Sequence, residues 1–226
     1  MNDTQIVSVC DTSVTMLSPE RRMQLVQAVE HVITHNIPGD FVEIGVWRGG
    51  AVMIMLYKLL QLGVTDRHVH LYDTFSGMTE ASAEDVCVDG RCATDPHVFD
   101  TVKCDAEYAL VVENIQQVGY PMENIHFHVG DIRTVNTIPE NISLLRLDND
   151  WYELYAFELP LFEPRVSDSG IVIIDDYGWW NGCKKAVDEY IVTIPSPIDL
   201  HHVQDTTWWI VNRSGRKTMC PDTGQA

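Results

Sequence analysis

The sequence predicts an α/β domain organised around parallel strands, and three features predict it. The first lies around Leu144–Gly178. Two apolar runs, Ile142–Leu147 and Gly170–Ile174, each end abruptly in carboxylates: Asp148 and Asp150 after one, Asp175 and Asp176 after the other. Short apolar runs with β-branched residues, bounded by turn residues, read as buried strands. Residues 151–163 between them carry apolar side chains at helical spacing. That makes a strand–helix–strand unit, and hence parallel strands. The second feature is a strand at Phe41–Gly45 that runs through a glycine-rich turn into an apolar helix. The third is a strand at His68–Tyr72 that ends in Asp73.

Neighbouring parallel strands lie about 4.8 Å apart, so the four aspartates crowd one sheet edge. Asp148 and Asp150 are two residues apart and leave their strand on the same face. Crowded carboxylates repel, which raises some of their pKa values. No Lys lies in this stretch, and Arg146 is expected to point to the opposite side of its strand from the odd positions. A bound divalent cation is therefore the expected neutraliser, and an all-oxygen set suits a hard ion such as Mg²⁺. Solvated carboxylates at loop starts are the plain alternative. C-terminal strand edges are, however, where α/β sheets place ligands.

In chain order, residues 1–17 read as extended or loose. Ser18-Pro19-Glu20 starts a helix: Ser caps, Pro suits the first helical position and Glu favours the positive end. Met23, Val26, Val29 and Ile33 share one face of it, and an N-terminal helical segment spans about 15–37. The turn Gly45-Val-Trp-Arg-Gly49-Gly50 precedes a helix from Ala51 to about Leu62. Its glycines let backbone N–H groups approach a nucleotide-like ligand. The spacing is not G-x-G-x-x-G, which argues against a dinucleotide. Glu43, just before the turn, is placed to accept from a ribose or an amino group. Asp73, 23 residues after Gly50, is placed to bind ribose hydroxyls.

Residues 79–103 are polar, acidic and rich in turn formers, and read as a lid loop. Tyr108–Val118 is a helix with Ala109, Val112, Ile115 and Val118 on one face. Ile125–Val129 is a strand ending in Gly130-Asp131, and its His126 and His128 read as half-buried sheet residues. Asn181–Val192 is a further helix. Leu200–Val203 and Thr207–Val211 form a closing hairpin, with at least one of Trp208 and Trp209 in the core. Residues 213–226 read as a loose tail.

The chain has 226 residues, 45% of them hydrophobic, with 15 basic and 33 acidic side chains and a net charge of −18. One domain with a full core is expected. The charge disfavours nucleic acid and anionic membrane as partners. No signal pattern and no 18-residue apolar run is present, so the expected location is cytoplasmic. The cysteines are too scattered for a disulfide scaffold. Cys87, Cys92, His97 and Cys104 cluster loosely, and reduced thiols are preferred to a zinc site. A homo-oligomer is compatible with the chain.

The segments TMLSPERR, PGDFVEIGVWRGGAVM, LYDTFSGM, GDIRTVNTIPE, LRLDNDWYE and GIVIIDDYGWWNGCKKAV, together spanning about 15–209, resemble the macrocin O-methyltransferase family. Its members are sugar O-methyltransferases that use S-adenosylmethionine. The resemblance implies the class I methyltransferase fold: a Rossmann-like, seven-stranded, mostly parallel sheet flanked by helices, with one antiparallel strand. It implies that Glu43, Gly45 and Gly49 surround the methionine and ribose side of the cofactor. By the same likeness Asp73 holds the ribose with Thr74 and Ser76 nearby, Gly130 and Asp131 face the adenine, and Thr15 and Met16 close over the cofactor. Asp148, Asp175 and Asp176 match metal-binding aspartates that hold Mg²⁺ or another divalent cation. Asp150 matches the general base.

The implied reaction is transfer of a methyl group to a hydroxyl of a small-molecule acceptor, a glycoside, for which a vicinal diol would suit a chelating metal. Three rivals are weaker. A nicotinamide-dependent oxidoreductase fits Asp73 but not the glycine spacing. A metal-dependent phosphatase would carry its Asp-x-Asp on the first strand, whereas here it follows the fourth. A non-catalytic S-adenosylmethionine-binding protein leaves the four aspartates without a role.

Overall fold

A computed structural model describes residues 1–213. Its strands are β1 (Asp40–Ile44), β2 (Val69–Asp73), β3 (Ile125–Val129), β4 (Ile142–Leu147), β5 (Val166–Ile174), β6 (His201–Val203) and β7 (Thr206–Ile210). They form one seven-stranded sheet in the order β3-β2-β1-β4-β5-β7-β6. The first five pair in parallel, and β7 is antiparallel to both β5 and β6. The predicted closing hairpin is thus present, and Trp209 is its fully buried member. Strand order reverses between β1 and β4, which opens a crevice beyond their C-terminal ends.

The helices are α1 (Asp3–Val9), α2 (Pro19–Thr34), α3 (Gly50–Gln61), α4 (Pro96–Val102), α5 (Tyr108–Gln116), α6 (Tyr152–Phe162) and α7 (Asn181–Ile191). One core, between the sheet and α1, α2, α3 and α5, holds Leu25, Val29, Phe41, Ile54, Leu71 and Leu144. The other, under α6 and α7, holds Val42, Ile44, Leu145, Leu147, Tyr155 and Val172. Alternate β1 and β4 residues point into opposite cores, as a strand covered on both faces requires.

Three expectations are corrected. Residues 3–9 are helical, not loose. Asn2 and Gln5 form a reciprocal capping box, and Ile6 and Val7 are buried. The buried face of α5 is Val111 and Ile115, continued by Val118, whereas Ala109 is exposed. The loop at 79–103 carries α4 and two isolated bridges, Val86 with Cys92 and Cys87 with Trp180. Cys10, Cys87, Cys92, Cys104 and Cys183 are free thiols. His70 meets His128 at 3.0 Å and Asp40 at 3.2 Å, with the His128 ring stacked on Tyr72. Arg213, the first tail residue, donates to Asp168 and Val166; the remainder of the expected tail lies outside the described residues. No helix among the described residues is long and apolar enough to cross a membrane.

Candidate active site

The tips of β1, β4 and β5 continue their pairing for one residue past the strands. Asp148 N–H donates to Ile44 O at 2.8 Å, and Asp175 N–H to Leu147 O at 3.0 Å. This register brings the aspartates to one wall of a cavity of about 470 Å³. Oxygens of Asp148, Asp175 and Asp176 lie within 4.8 Å of one another, the one group of potential metal ligands among the described residues. Cys87, Cys92, His97 and Cys104 do not converge in this way.

Arg146 does lie opposite the odd positions of its strand, but that side is the one the aspartates occupy, so the expectation that the cluster lacks a cation of its own is corrected. Residues 146, 148 and 150 share parity, so Arg146 emerges on the carboxylate side of its strand. It is 2% exposed and lies 2.7 Å from Glu43, 2.9 Å from Asp148 and 2.9 Å from Asp175. Arg21, from the first turn of α2, also pairs with Asp175. The acid cluster thus carries cations of its own. Burial pushes Asp175 up, but Arg146 and Arg21 outweigh it and hold the carboxyl below its ordinary range. Burial pushes Asp176 up, and the charges of Asp150 and Asp175 add to this. Burial also raises Glu43 to about 7, against the pull of Arg146.

Asp150 follows with a left-handed backbone, φ 62°. Its N–H donates to Asp176 at 3.0 Å, and its Oδ1 accepts from Trp180 Nε1 at 2.7 Å. Asp176 also accepts from Tyr155 at 2.8 Å. Desolvation, then the charge of Asp148, pushes Asp150 up to about 8.

The adjoining part of the cavity is built on the glycine turn. Gly45 has φ 83°, and a Cβ there would lie 1.9 Å from Asp148 O, so the turn can pass β4 only with glycine. A Cβ on Gly50 would lie 2.4 Å from Val14 O, whose carbonyl accepts from Gly50 N–H. That contact lays residues 14–16 across the cavity. Asp73 accepts from Val46, Trp47 and Phe75 N–H at 2.7, 3.0 and 2.8 Å, tying β2 to the turn. Asp131 pairs with Arg133.

Of the residues picked from sequence, Thr15, Met16, Glu43, Gly45, Asp73, Thr74, Gly130, Asp131, Asp148, Asp150, Asp175 and Asp176 all line this cavity. Gly49 and Ser76 do not. Gly49 caps α3 and faces Val111 and Ile115, and Ser76 is exposed beside Thr74. Residues the sequence reading missed include Arg21, Trp151, Trp179 and Trp180, which also line it. Arg21 reaches Asp175 across 154 positions, a contact that no local pattern announces.

Glu158 on α6 lies behind the wall. It is fully buried, one oxygen accepts from Asn149 at 2.5 Å, and the other has no partner. Burial raises its carboxyl from 4.5 to about 8. Because the folded value is the higher one, its contribution to stability is full below pH 4.5 and is lost as pH rises through about 8. Glu158→Gln is expected to raise Tm by roughly 5 °C at pH 8.5 and to change it little at pH 5. Thermal melts at the two pH values check this; equal shifts would refute it.

A parallel sheet with one reversed strand, a glycine turn facing an acidic β2 tip and aspartates across the crevice define a class I S-adenosylmethionine-dependent O-methyltransferase. The family profile for macrocin O-methyltransferases matches residues 6–210, and the chain belongs to that family. It is 37% identical over 178 residues to demethyldecarbamoylnovobiocin O-methyltransferase of Streptomyces niveus, covering 78% of this chain and 67% of the relative. It is 34% identical over 184 residues to 8-demethyl-8-(2,3-dimethoxy-alpha-L-rhamnosyl)-tetracenomycin-C 4'-O-methyltransferase of Streptomyces olivaceus, with the same 78% and 67% coverage. The solved structure of the O-methyltransferase NovP superposes with a TM-score of 0.77 at 32% identity, over 88% of this chain and 83% of that one.

Proposed function

We propose that the protein methylates a hydroxyl of a sugar or sugar-bearing natural product, using S-adenosylmethionine and a divalent cation, Mg²⁺ by the chemistry of its ligands. The observation that carries this reading is the convergence of Asp148, Asp175 and Asp176 beside Asp150, in one cavity with Glu43 and Asp73. The relative from Streptomyces olivaceus is named for a rhamnosyl acceptor, which supports a glycoside here.

Asp73 keeps lone pairs beyond its three N–H partners and would hold the ribose. Glu43 Oε2 is buried in the cavity wall with no partner and is placed to accept from the cofactor's ammonium. Gly45 and Gly49 shape the turn around the methionine part. Thr74 and Ser76 follow Asp73, Gly130 and Asp131 flank the adenine, and Thr15 and Met16 close over the cofactor.

The three aspartates fit a hard cation. They offer oxygen only, and each carboxylate has acceptor sites beyond those its partners take: arginines at Asp148 and Asp175, Tyr155 and the Asp150 N–H at Asp176. When bound, the cation supplies Lewis acidity and a fixed charge at the acceptor oxygen. The chain's own residues do the rest. Trp180 holds the Asp150 carboxylate toward the cavity, and Asp150 takes the hydroxyl proton. The acceptor oxygen bonds to the methyl carbon as the carbon–sulfur bond breaks, leaving a neutral thioether. Alignment of the two partners supplies much of the rate.

Calorimetry with S-adenosylmethionine, followed by methyl transfer to a panel of glycosides and catechols with and without EDTA, tests this. Cofactor binding is expected in both conditions. Turnover is expected to fall about 100-fold or more in EDTA and to return with Mg²⁺. Turnover indifferent to EDTA would remove the metal, and absence of cofactor binding would remove the reaction.

A further inference from the structure

Four tryptophans border the cavity, and they are not alike. Trp151 and Trp180 are each 1% exposed, meet edge to face at 5.1 Å and donate their indole N–H to Thr79 and Asp150. Trp179 is 38% exposed, though it adjoins Trp180 in the chain. Consecutive residues thus turn one indole into the wall and the other toward the mouth. The Trp179 backbone is held at both ends: its N–H donates to Asp176 O at 3.0 Å, and its carbonyl accepts from Val88 N–H at 3.0 Å. Because Trp179 lines the same cavity as Asp150 on a fixed backbone, its half-exposed indole offers a flat apolar face to whatever enters beside the base.

We propose that Trp179 is the platform on which the acceptor's pyranose ring lies, and so determines acceptor binding. The assignment rests on the sugar O-methyltransferase reading above. A pyranose has an apolar face of C–H bonds and an edge of hydroxyls. The indole meets the first by dispersion and by attraction of the C–H groups to its π face. Lys103, Thr101 and Asp205, which share the cavity, meet the second. A ring seated in this way presents an edge hydroxyl toward Asp150, whose own position is fixed by the neighbouring Trp180. The platform and the base are thereby held by adjacent residues, so the sugar's face and its reacting hydroxyl are read by one short turn.

The test is NMR of the indole N–H signals with S-adenosylhomocysteine and Mg²⁺ bound, the Trp179 signal being assigned by its loss in Trp179→Phe. Methyl α-L-rhamnopyranoside and methyl α-D-glucopyranoside are titrated as probes. At least one is expected to shift the Trp179 signal. Trp179→Ala is expected to weaken its binding about tenfold or more, and Trp179→Phe by about threefold. Calorimetric affinity for S-adenosylhomocysteine is expected to stay within about twofold in both variants, since Trp179 touches the acceptor alone. An unmoved Trp179 signal, equal pyranoside binding by Trp179→Ala, or binding of catechol with neither pyranoside would overturn the platform and leave the methyltransferase standing. Failure of the wild type to bind S-adenosylhomocysteine would overturn both.

Discussion

Asp150→Asn is expected to lower turnover by about 10²- to 10⁴-fold, the usual contribution of a positioned general base. Asparagine keeps the size of the side chain and can still accept from Trp180 through its carbonyl oxygen, so the 2.7 Å hydrogen bond that orients the group survives. What disappears is the ability to take a proton. S-adenosylmethionine affinity is expected to stay within about threefold, because the hydrogen bonds of Asp150 run to Asp176 and Trp180, not to Asp73 or the glycine turn. Single-turnover kinetics alongside calorimetry separates the two quantities. Turnover within a few-fold of wild type would take the base assignment from Asp150.

Arg146→Met is expected to cost about 3–5 kcal/mol of stability, which for a chain of this length lowers Tm by roughly 10 °C or more. The guanidinium is the shared partner of Glu43, Asp148 and Asp175. Burial alone would lower its pKa, but those three carboxylates outweigh burial and keep it charged. Methionine fills similar space yet leaves buried carboxylates facing each other. Adding Glu43→Gln to Arg146→Met is expected to restore part of the loss, since the pair is coupled. Urea melts in EDTA measure both variants. Equal stabilities for the single and double variants would show that the Arg146–Glu43 pair carries none of it.

Much of this architecture is legible in the residues. Apolar runs that stop at carboxylates give β4 and β5. The glycine spacing gives the β1 turn, and the offset of Asp73 gives the β2 tip. The charge balance of the site is legible only in part. Strand alternation already groups Arg146 with Asp148 and Asp150, and the expectation that a foreign cation must neutralise the cluster overlooks this. That Arg146 faces Glu43 depends on the β1–β4 register, and Arg21 arrives from α2, packed on the same sheet face but 154 positions from Asp175 in the chain; both are products of tertiary packing. The α1 helix escapes a periodicity search because it is only 7 residues long, and its capping box is its one strong signal. Trp179 and Trp180 are indistinguishable as letters, because their contrasting exposure arises where loop 79–103 pairs with their turn through Val86, Cys87 and Val88.

That loop is not free along its length. Asp85 within it is fully buried; it accepts from Tyr152 N–H at 2.7 Å, capping α6, and from Ser82 N–H and Oγ at 2.7 and 2.8 Å. Bridging of Cys87 to Trp180 fastens the same half to the turn that carries the tryptophans. α4, by contrast, buries none of its residues. The segment is thus secured unequally: like a post set into a frame, its half around Asp85 and Cys87 is built into the wall around Asp150, whereas its α4 half leans on that wall from outside.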